Sequence, residues 1–291
     1  LNVRTVGIVG AGTMGQGIAI TCAAAGLDVL VRERSPESAQ RALAEIAECL
    51  DRDIARWSRT ESEKKAVLSR IKTVADLAAL EAAQIVIESV SEDLALKSSI
   101  FQELDRACPP EDILATNTSA LSVTEIGART RRPDRVIGLH FLQPVPRVPL
   151  VEVVRGLATS DATFQSVLEF VRLIGKTGVE VFEYPGYITT RVILPFLNEA
   201  MYVVMEGVAT AEAVDTSMKL GYGLPVGPLG LADQMGLDEV MRWMQHLFTE
   251  LGDVKYRPCP LLRKMIRAGR LGVKSGKGFF EYDEHGQIKK G

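Results

Sequence analysis

Through the first part of the chain, short runs of β-branched and aliphatic residues alternate with longer helical patterns. The runs fall at residues 6–9, 29–31, 85–87, 113–115, 136–139, 151–154 and 179–182. Between them lie an Ala-rich segment after Thr13, a charged segment over about 38–70, and an amphipathic one over 94–107. Near-continuous apolar strands separated by helices are the pattern of a parallel sheet covered on both faces. After Tyr184-Pro185-Gly186 the strand signals stop, and 188–271 reads as helices broken at Gly207, at 221–228 and at 257–260. The expected organisation is an α/β domain over 1–184 with a mostly parallel sheet, followed by an all-α domain over 185–291. The helical part is richer in Leu, Met and Val than a small bundle needs for its own core, which points to a homodimer formed through it. The charged 38–70 segment reads as a solvated helical pair.

Composition narrows the function classes. With 46% apolar and 24% charged residues, the 291-residue chain has the make-up of a folded globular protein. A net charge of −3 gives no reason to expect nucleic acid as a partner. No apolar run is long enough to cross a bilayer, so no membrane partner is expected. Cys22, Cys49, Cys108 and Cys259 are scattered and form no CxxC, which suggests neither a metal site nor a disulfide framework. Reduced thiols suit the cytoplasm, or the mitochondrial matrix if a transit peptide has been removed.

The first run leads straight into Gly10-Ala-Gly12-Thr13-Met14-Gly15, a GxGxxG between a strand and a helix. In that context the pattern has a mechanism, and it marks a Rossmann-type dinucleotide site. Gly10 allows the tight turn, Gly12 admits the backbone to a pyrophosphate, and Gly15 lets the helix pack on the strand. The helix amino terminus, opening at Thr13 and Met14, then offers N–H groups to the anion. Glu33 ends the second run, where an acid bonds the ribose hydroxyls and repels a 2′-phosphate, favouring NAD over NADP. Arg32 and Arg34 flank it and are able to welcome that phosphate instead.

In GLHFLQPVPRVPLVEV, 138–153, His140 closes one apolar run and Glu152 lies within the next. Ligands of open α/β sheets bind beyond the carboxyl ends of the strands, where His140 is expected. An unpaired carboxylate among Val and Leu is costly, and a His140–Glu152 pair removes that cost. Glu152 then fixes the tautomer of His140 and leaves its other ring nitrogen to take a proton. Beside a nicotinamide, a histidine base implies oxidation of an alcohol. A purely structural His–Glu pair is the alternative.

Taken together, GIVGAGTMGQGIA at the start, NTSALSV at 117–123, GLHFLQPVP and LVEVV within 138–154, MKLGYGLPVGPLGLADQMGLD at 218–238 and GVKSGKGFFEY at 272–282 make the chain similar to the 3-hydroxyacyl-CoA dehydrogenases of the stand-alone 3-hydroxybutyryl-CoA type. The resemblance covers nearly the whole sequence. It implies an acyl-CoA thioester substrate, oxidised at C3 with NAD, and His140 and Glu152 as the catalytic pair. It further implies that Ser119 bonds the substrate oxygen near the nicotinamide, that Asn117, Glu92 and Lys97 serve the cofactor, and that Lys274 reaches it. Arg56 falls on a basic position that meets the CoA moiety, and Arg191 belongs to the substrate side.

Three positions depart from the family pattern. Gln143 stands in HFLQP where HFFNP is usual, on the residue that bonds the nicotinamide end. Thr190 replaces the active-site asparagine that precedes Arg191, and Cys49 replaces the serine that accompanies the CoA-binding lysine. Gln for Asn lengthens the amide by one methylene, whereas Thr for Asn removes an NH2 donor pair. These changes imply either a reshaped acyl pocket or weakened catalysis. Two other function classes remain: a dehydrogenase of free β-hydroxy acids, which would want a lysine where the chain has none between Lys176 and Lys219, and a non-catalytic nucleotide-binding protein of the same fold.

Overall fold

The computed structural model describes residues 2–55 and 58–289, and the chain divides into two compact units, Leu1–Tyr184 and Pro185–Gly291. In the first unit the strands are β1 (Thr5–Val9), β2 (Asp28–Arg32), β3 (Ile71–Val74), β4 (Ile85–Glu88), β5 (Ile113–Thr116), β6 (Val136–Phe141), β7 (Leu150–Arg155) and β8 (Thr177–Phe182). They form one sheet in the order β3-β2-β1-β4-β5-β6-β7-β8. Strands β1 to β6 are mutually parallel, and β7 and β8 run the other way, paired parallel to each other. Only residues 142–149 separate β6 from β7, too few for a crossover, so this pair is antiparallel. The strand order reverses at β1 and β4, and there the glycine-rich turn sits.

The helices are α1 (Thr13–Ala24), α2 (Pro36–Ala55), α3 (Glu61–Arg70), α4 (Leu94–Ala107), α5 (Val123–Gly127) and α6 (Asp161–Leu173). Alternate strand residues separate the two faces. Ile8, Val31, Ile87, Ala115, Leu139 and Val153 join one core with residues of α1, α2, α3 and α6. The opposite face, carrying Val86, Leu114, Val136 and Val154, lies on the side of α4 and α5. The 38–70 segment is therefore more than a solvated pair: Ala42, Ile46, Leu50 and Val67 commit one stripe of α2 and α3 to the core. Full burial of the Ile46, Leu50 and Val67 side chains contributes about 1.5–3 kcal/mol each. Strand β3 is an addition to the seven runs. Its burial runs from Ile71 through exposed Lys72 and Thr73 to half-buried Val74, so this edge strand has no apolar run to announce it.

The second unit holds α7 (Thr189–Met205), α8 (Ala211–Tyr222), α9 (Pro228–Met235), α10 (Leu237–Leu251) and α11 (Pro260–Arg267) around its own core of Leu194, Leu197, Met201, Leu229, Val240 and Met244. Breaks follow α7 and α8 at Gly207 and Gly223, both at positive φ. A further break at Gly236, φ +92, separates α9 from α10 and lies within a stretch that reads as continuous helix.

Candidate active site

At the end of β1 the chain turns through Gly10, φ +91, whose N–H donates to the Arg32 carbonyl at 3.0 Å. A Cβ on Gly10 would meet the Val90 side chain and the Ser89 backbone at 2.8–3.0 Å, and one on Gly15 would lie 2.0 Å from the Gly10 oxygen. The protein itself demands glycine at both. Gly12 differs, because a Cβ there would meet no protein atom within 4 Å. Glycine at this position leaves room for something other than the protein. Helix α1 starts here with no side-chain cap and no acid in its first turn, so its free N–H groups face outward without a negative partner. Thr13 is exposed and Met14 half-buried beside it. Glu33, just beyond β2, turns back over the loop and accepts the Ala11 N–H on Oε1. Arg32 is half-buried and Arg34 exposed.

Across the same sheet edge, His140 and Glu152 are directly opposed in the antiparallel register of β6 and β7. His140 Nδ1 lies 2.6 Å from Glu152 Oε2, with 4% and 1% of the two residues exposed. The strand register thus explains the spacing of twelve: both side chains leave the same face of neighbouring strands. Between the strands the Pro-rich segment is held by Lys176 Nζ, which donates to the carbonyls of Val145 and Val148, both at 2.6 Å. Gly17 of α1 makes room for it, since a Cβ there would approach Val145 to 2.8 Å.

Between the glycine turn and the His–Glu pair lies a hydrogen-bonded loop after β5. The Asn117 side chain donates to Ser89 Oγ at 3.1 Å and accepts the Phe141 N–H at 3.3 Å. Glu92 accepts the Thr118 hydroxyl and, at 3.0 Å, the Ser119 N–H. Lys97 was expected at the cofactor, yet it is 0% exposed. Its ammonium donates to Glu88 at 2.7 Å and lies 3.6 Å from Glu92 and 3.4 Å from the Val90 and Asn117 carbonyls. The lysine supports the loop from below because its helix face, with Ile100, Phe101 and Leu104, is the buried one. Glu88 went unnoticed in the sequence, although a lysine on the apolar stripe of α4 signals that a buried acid must answer it.

Gln143 is exposed just after β6. Cys49 is half-buried in α2 and packs against the core. In the second unit, Thr190 is buried in the first turn of α7 and the Arg191 N–H donates to the Gly186 carbonyl at 2.9 Å. Lys274 is paired with Asp238 at 2.6 Å. Arg56 lies outside the described residues. The first unit therefore brings Gly10, Gly12, Gly15, Glu33, Glu92, Asn117, Ser119, His140 and Glu152 to the edge where β1 to β6 end, while Thr190, Arg191 and Lys274 belong to the second.

Residues 5–184 match the family description "3-hydroxyacyl-CoA dehydrogenase, NAD binding domain", and residues 186–282 match the C-terminal domain of the same family. The chain belongs to the 3-hydroxyacyl-CoA dehydrogenase family. It is 51% identical over 284 residues to a probable 3-hydroxybutyryl-CoA dehydrogenase of Bacillus subtilis, covering 98% of this chain and 99% of that one. A 3-hydroxybutyryl-CoA dehydrogenase of Bradyrhizobium diazoefficiens is 45% identical, with 96% of both chains covered. Among solved structures, an (S)-3-hydroxybutyryl-CoA dehydrogenase from Ralstonia eutropha superposes with a TM-score of 0.90 at 44% identity, over 97% of this chain and all of that one. Like its family, the chain is an NAD-dependent oxidoreductase of 3-hydroxyacyl-CoA, which selects the acyl-CoA reading over the free-acid one. The residues present fit NAD: Gly12 opens the turn, uncapped α1 N–H groups suit its pyrophosphate, and the Glu33 carboxylate beside the turn suits ribose hydroxyls.

Proposed function

We propose that this chain oxidises (S)-3-hydroxybutyryl-CoA and related short 3-hydroxyacyl-CoA thioesters reversibly to the 3-keto compounds, with His140 as the general base. The observation that carries the reading is the buried 2.6 Å contact between His140 Nδ1 and Glu152, at the strand ends that also carry the glycine-rich turn. With its Nδ1 proton donated to Glu152, His140 presents Nε2 as the basic nitrogen. Nε2 takes the proton of the substrate 3-hydroxyl, and Glu152 stabilises the imidazolium that results. The Ser119 hydroxyl donates to the same substrate oxygen and steadies the charge that develops on it. When bound at the glycine-rich turn, NAD would supply the acceptor for the hydride that leaves C3.

Around this centre, Asn117, Glu92 and Gln143 shape the nicotinamide end. The family resemblance assigns Lys274 to the cofactor, Thr190 and Arg191 to the substrate, and Arg56 to the CoA moiety. Exposed Val192, Val208, Leu220 and Tyr222 in the second unit favour a homodimer formed through that unit. A cytoplasmic site of action accords with the bacterial relatives, and no helix among the described residues is long and apolar enough to cross a membrane.

The test is NADH oxidation with acetoacetyl-CoA. His140→Gln should lower kcat by about 10²–10⁴-fold while NADH affinity stays near wild type. Glu152→Gln should slow the same step, because the imidazolium formed on proton transfer loses its anionic partner. Wild-type turnover by a folded His140→Gln enzyme removes the histidine from the mechanism.

A further inference from the structure

Beneath the glycine-rich turn and the 117–121 loop is a closed ion pair whose lysine, expected at the cofactor, is instead buried against Glu88. Glu88, the last residue of β4, and Lys97, one turn into α4, are both 0% exposed. Three donors converge on the Glu88 carboxylate. Lys97 Nζ and the Val90 N–H reach Oε1 at 2.7 Å, and the Thr116 hydroxyl reaches Oε2 at 2.8 Å. Glu88 and Thr116 are register partners on β4 and β5, so the carboxylate spans two strand ends and a helix. Burial pushes the Glu88 carboxyl above the usual carboxylate range, and Lys97, Thr116 and the Val90 N–H pull against it.

A buried ion pair adds little net stability over apolar side chains of the same size, so folding alone does not explain its presence here. Its surroundings do. On one side, Ser89 and Val90 wedge against the Gly10 turn. On the other, the Lys97 ammonium touches the Asn117 carbonyl and approaches Glu92, whose carboxylate holds Thr118 and the Ser119 N–H. Asn117 in turn accepts from Phe141, the neighbour of His140. We infer that Glu88 and Lys97 are positioning residues that lock Glu92 and the 117–119 segment to the glycine-rich turn, so that the Ser119 donor and His140 keep one placement relative to the cofactor. The inference rests on the reading that Ser119 and His140 act on the substrate oxygen.

The test is the double variant Glu88→Leu with Lys97→Met, which removes both charges together and leaves neither buried alone. Thermal melting, turnover of acetoacetyl-CoA with NADH, and calorimetric binding of ADP-ribose are measured. The expected result is a folded protein whose kcat falls by about 10–100-fold, the scale of lost support around a functional group. Its ADP-ribose Kd should stay within about threefold, a change of under about 0.7 kcal/mol, since the turn and Glu33 would bind that half. A kcat within about twofold of wild type overturns the inference, as does a parallel loss of ADP-ribose binding, which would signal general damage to the sheet edge. If the double variant does not fold, Thr116→Val decides, because it takes away one donor and leaves the pair. A kcat loss of about 3–10-fold at unchanged ADP-ribose affinity supports the inference, and no loss overturns it. His140→Gln and Ser119→Ala are assayed alongside. Wild-type turnover in those two overturns the reading of the reaction and the inference with it, whereas losses there beside an unaffected double variant overturn the inference alone.

Discussion

The three glycines of the turn separate a demand made by the protein from one made by its ligand, and alanine at two of them tests the separation. Gly12 has φ −68 and ψ −172, backbone that alanine adopts without strain, and its Cβ would meet nothing within 4 Å. Gly12→Ala should therefore change the stability of the ligand-free protein by less than about 1 kcal/mol. A small gain from the stiffer unfolded chain opposes a small loss at the helix cap. The new methyl occupies the approach of the pyrophosphate, and NADH affinity should fall by about 100-fold, near 2.7 kcal/mol. Gly15→Ala is the opposite case. Its Cβ would fall 2.0 Å from a backbone oxygen, so β1 and α1 must separate, and several kcal/mol of stability should go, as in overpacked cores.

Thermal melting with and without NADH reads both effects. At a concentration about 100 times the wild-type Kd, NADH stabilises the wild type by about 2.7 kcal/mol; at a 100-fold weaker Kd the same concentration gives only about 0.4 kcal/mol. Gly12→Ala should melt like the wild type alone and barely respond to NADH. Full NADH stabilisation of Gly12→Ala would refute the assignment of Gly12 to the ligand. A melting temperature as low as that of Gly15→Ala would refute the claim that the protein leaves the space empty.

Glu33→Ser should lower the preference for NADH over NADPH by about tenfold or more, since it removes a carboxylate that would face the 2′-phosphate and leaves Arg32 and Arg34 in place; an unchanged ratio would show that the arginines dominate. Thr190→Asn combined with Gln143→Asn should raise kcat/KM for acetoacetyl-CoA and lower it for the native acyl chain if the two departures shape the pocket, whereas an equal gain for every thioester in a panel of short, long and branched chains would mean they only weaken a common contact. Burial of Asp112, with Glu111 beside it, pushes its carboxyl up to about 6. The folded state then binds this proton more tightly than the unfolded state between about pH 4 and 6, and stability falls as pH rises through that window. Asp112→Asn should restore about 1 kcal/mol at about pH 7.5, after allowance for solvent screening, and nothing near pH 4; an equal gain at both would remove the titration from the account.

The sheet was legible where strands are buried on both faces, because their apolar runs need no alternation to be seen. It was not legible at β3, where the sequence pattern is that of an exposed edge, nor at Gly236, where a positive φ rather than any polar run ends a helix. At the site, Gly10 and Gly15 were readable because local backbone geometry demands glycine there. The Glu88–Lys97 pair was not, since a charged residue reads as exposed until its partner is known to be buried with it. Lys176 escaped for the same reason: nothing near it in sequence reveals that its ammonium caps two carbonyls about thirty residues earlier.

These hidden lysines bear on how the proposed base is held in place. Glu152 lies on a strand paired on both sides, to His140 across β6 and to Val179 across β8. The two ladders fix its backbone, and burial to 1% exposure leaves its carboxylate little room to turn, so the pairing with the imidazole follows from strand register more than from the loop between the strands. That loop still sets where β6 ends, and it is fixed at both of its faces, by Val145 seated on Gly17 of the cofactor helix and by Lys176 beneath. A cation placed under each of the two loops that flank the His140–Glu152 pair, Lys97 below 117–121 and Lys176 below 144–149, satisfies carbonyls that water would otherwise have to reach.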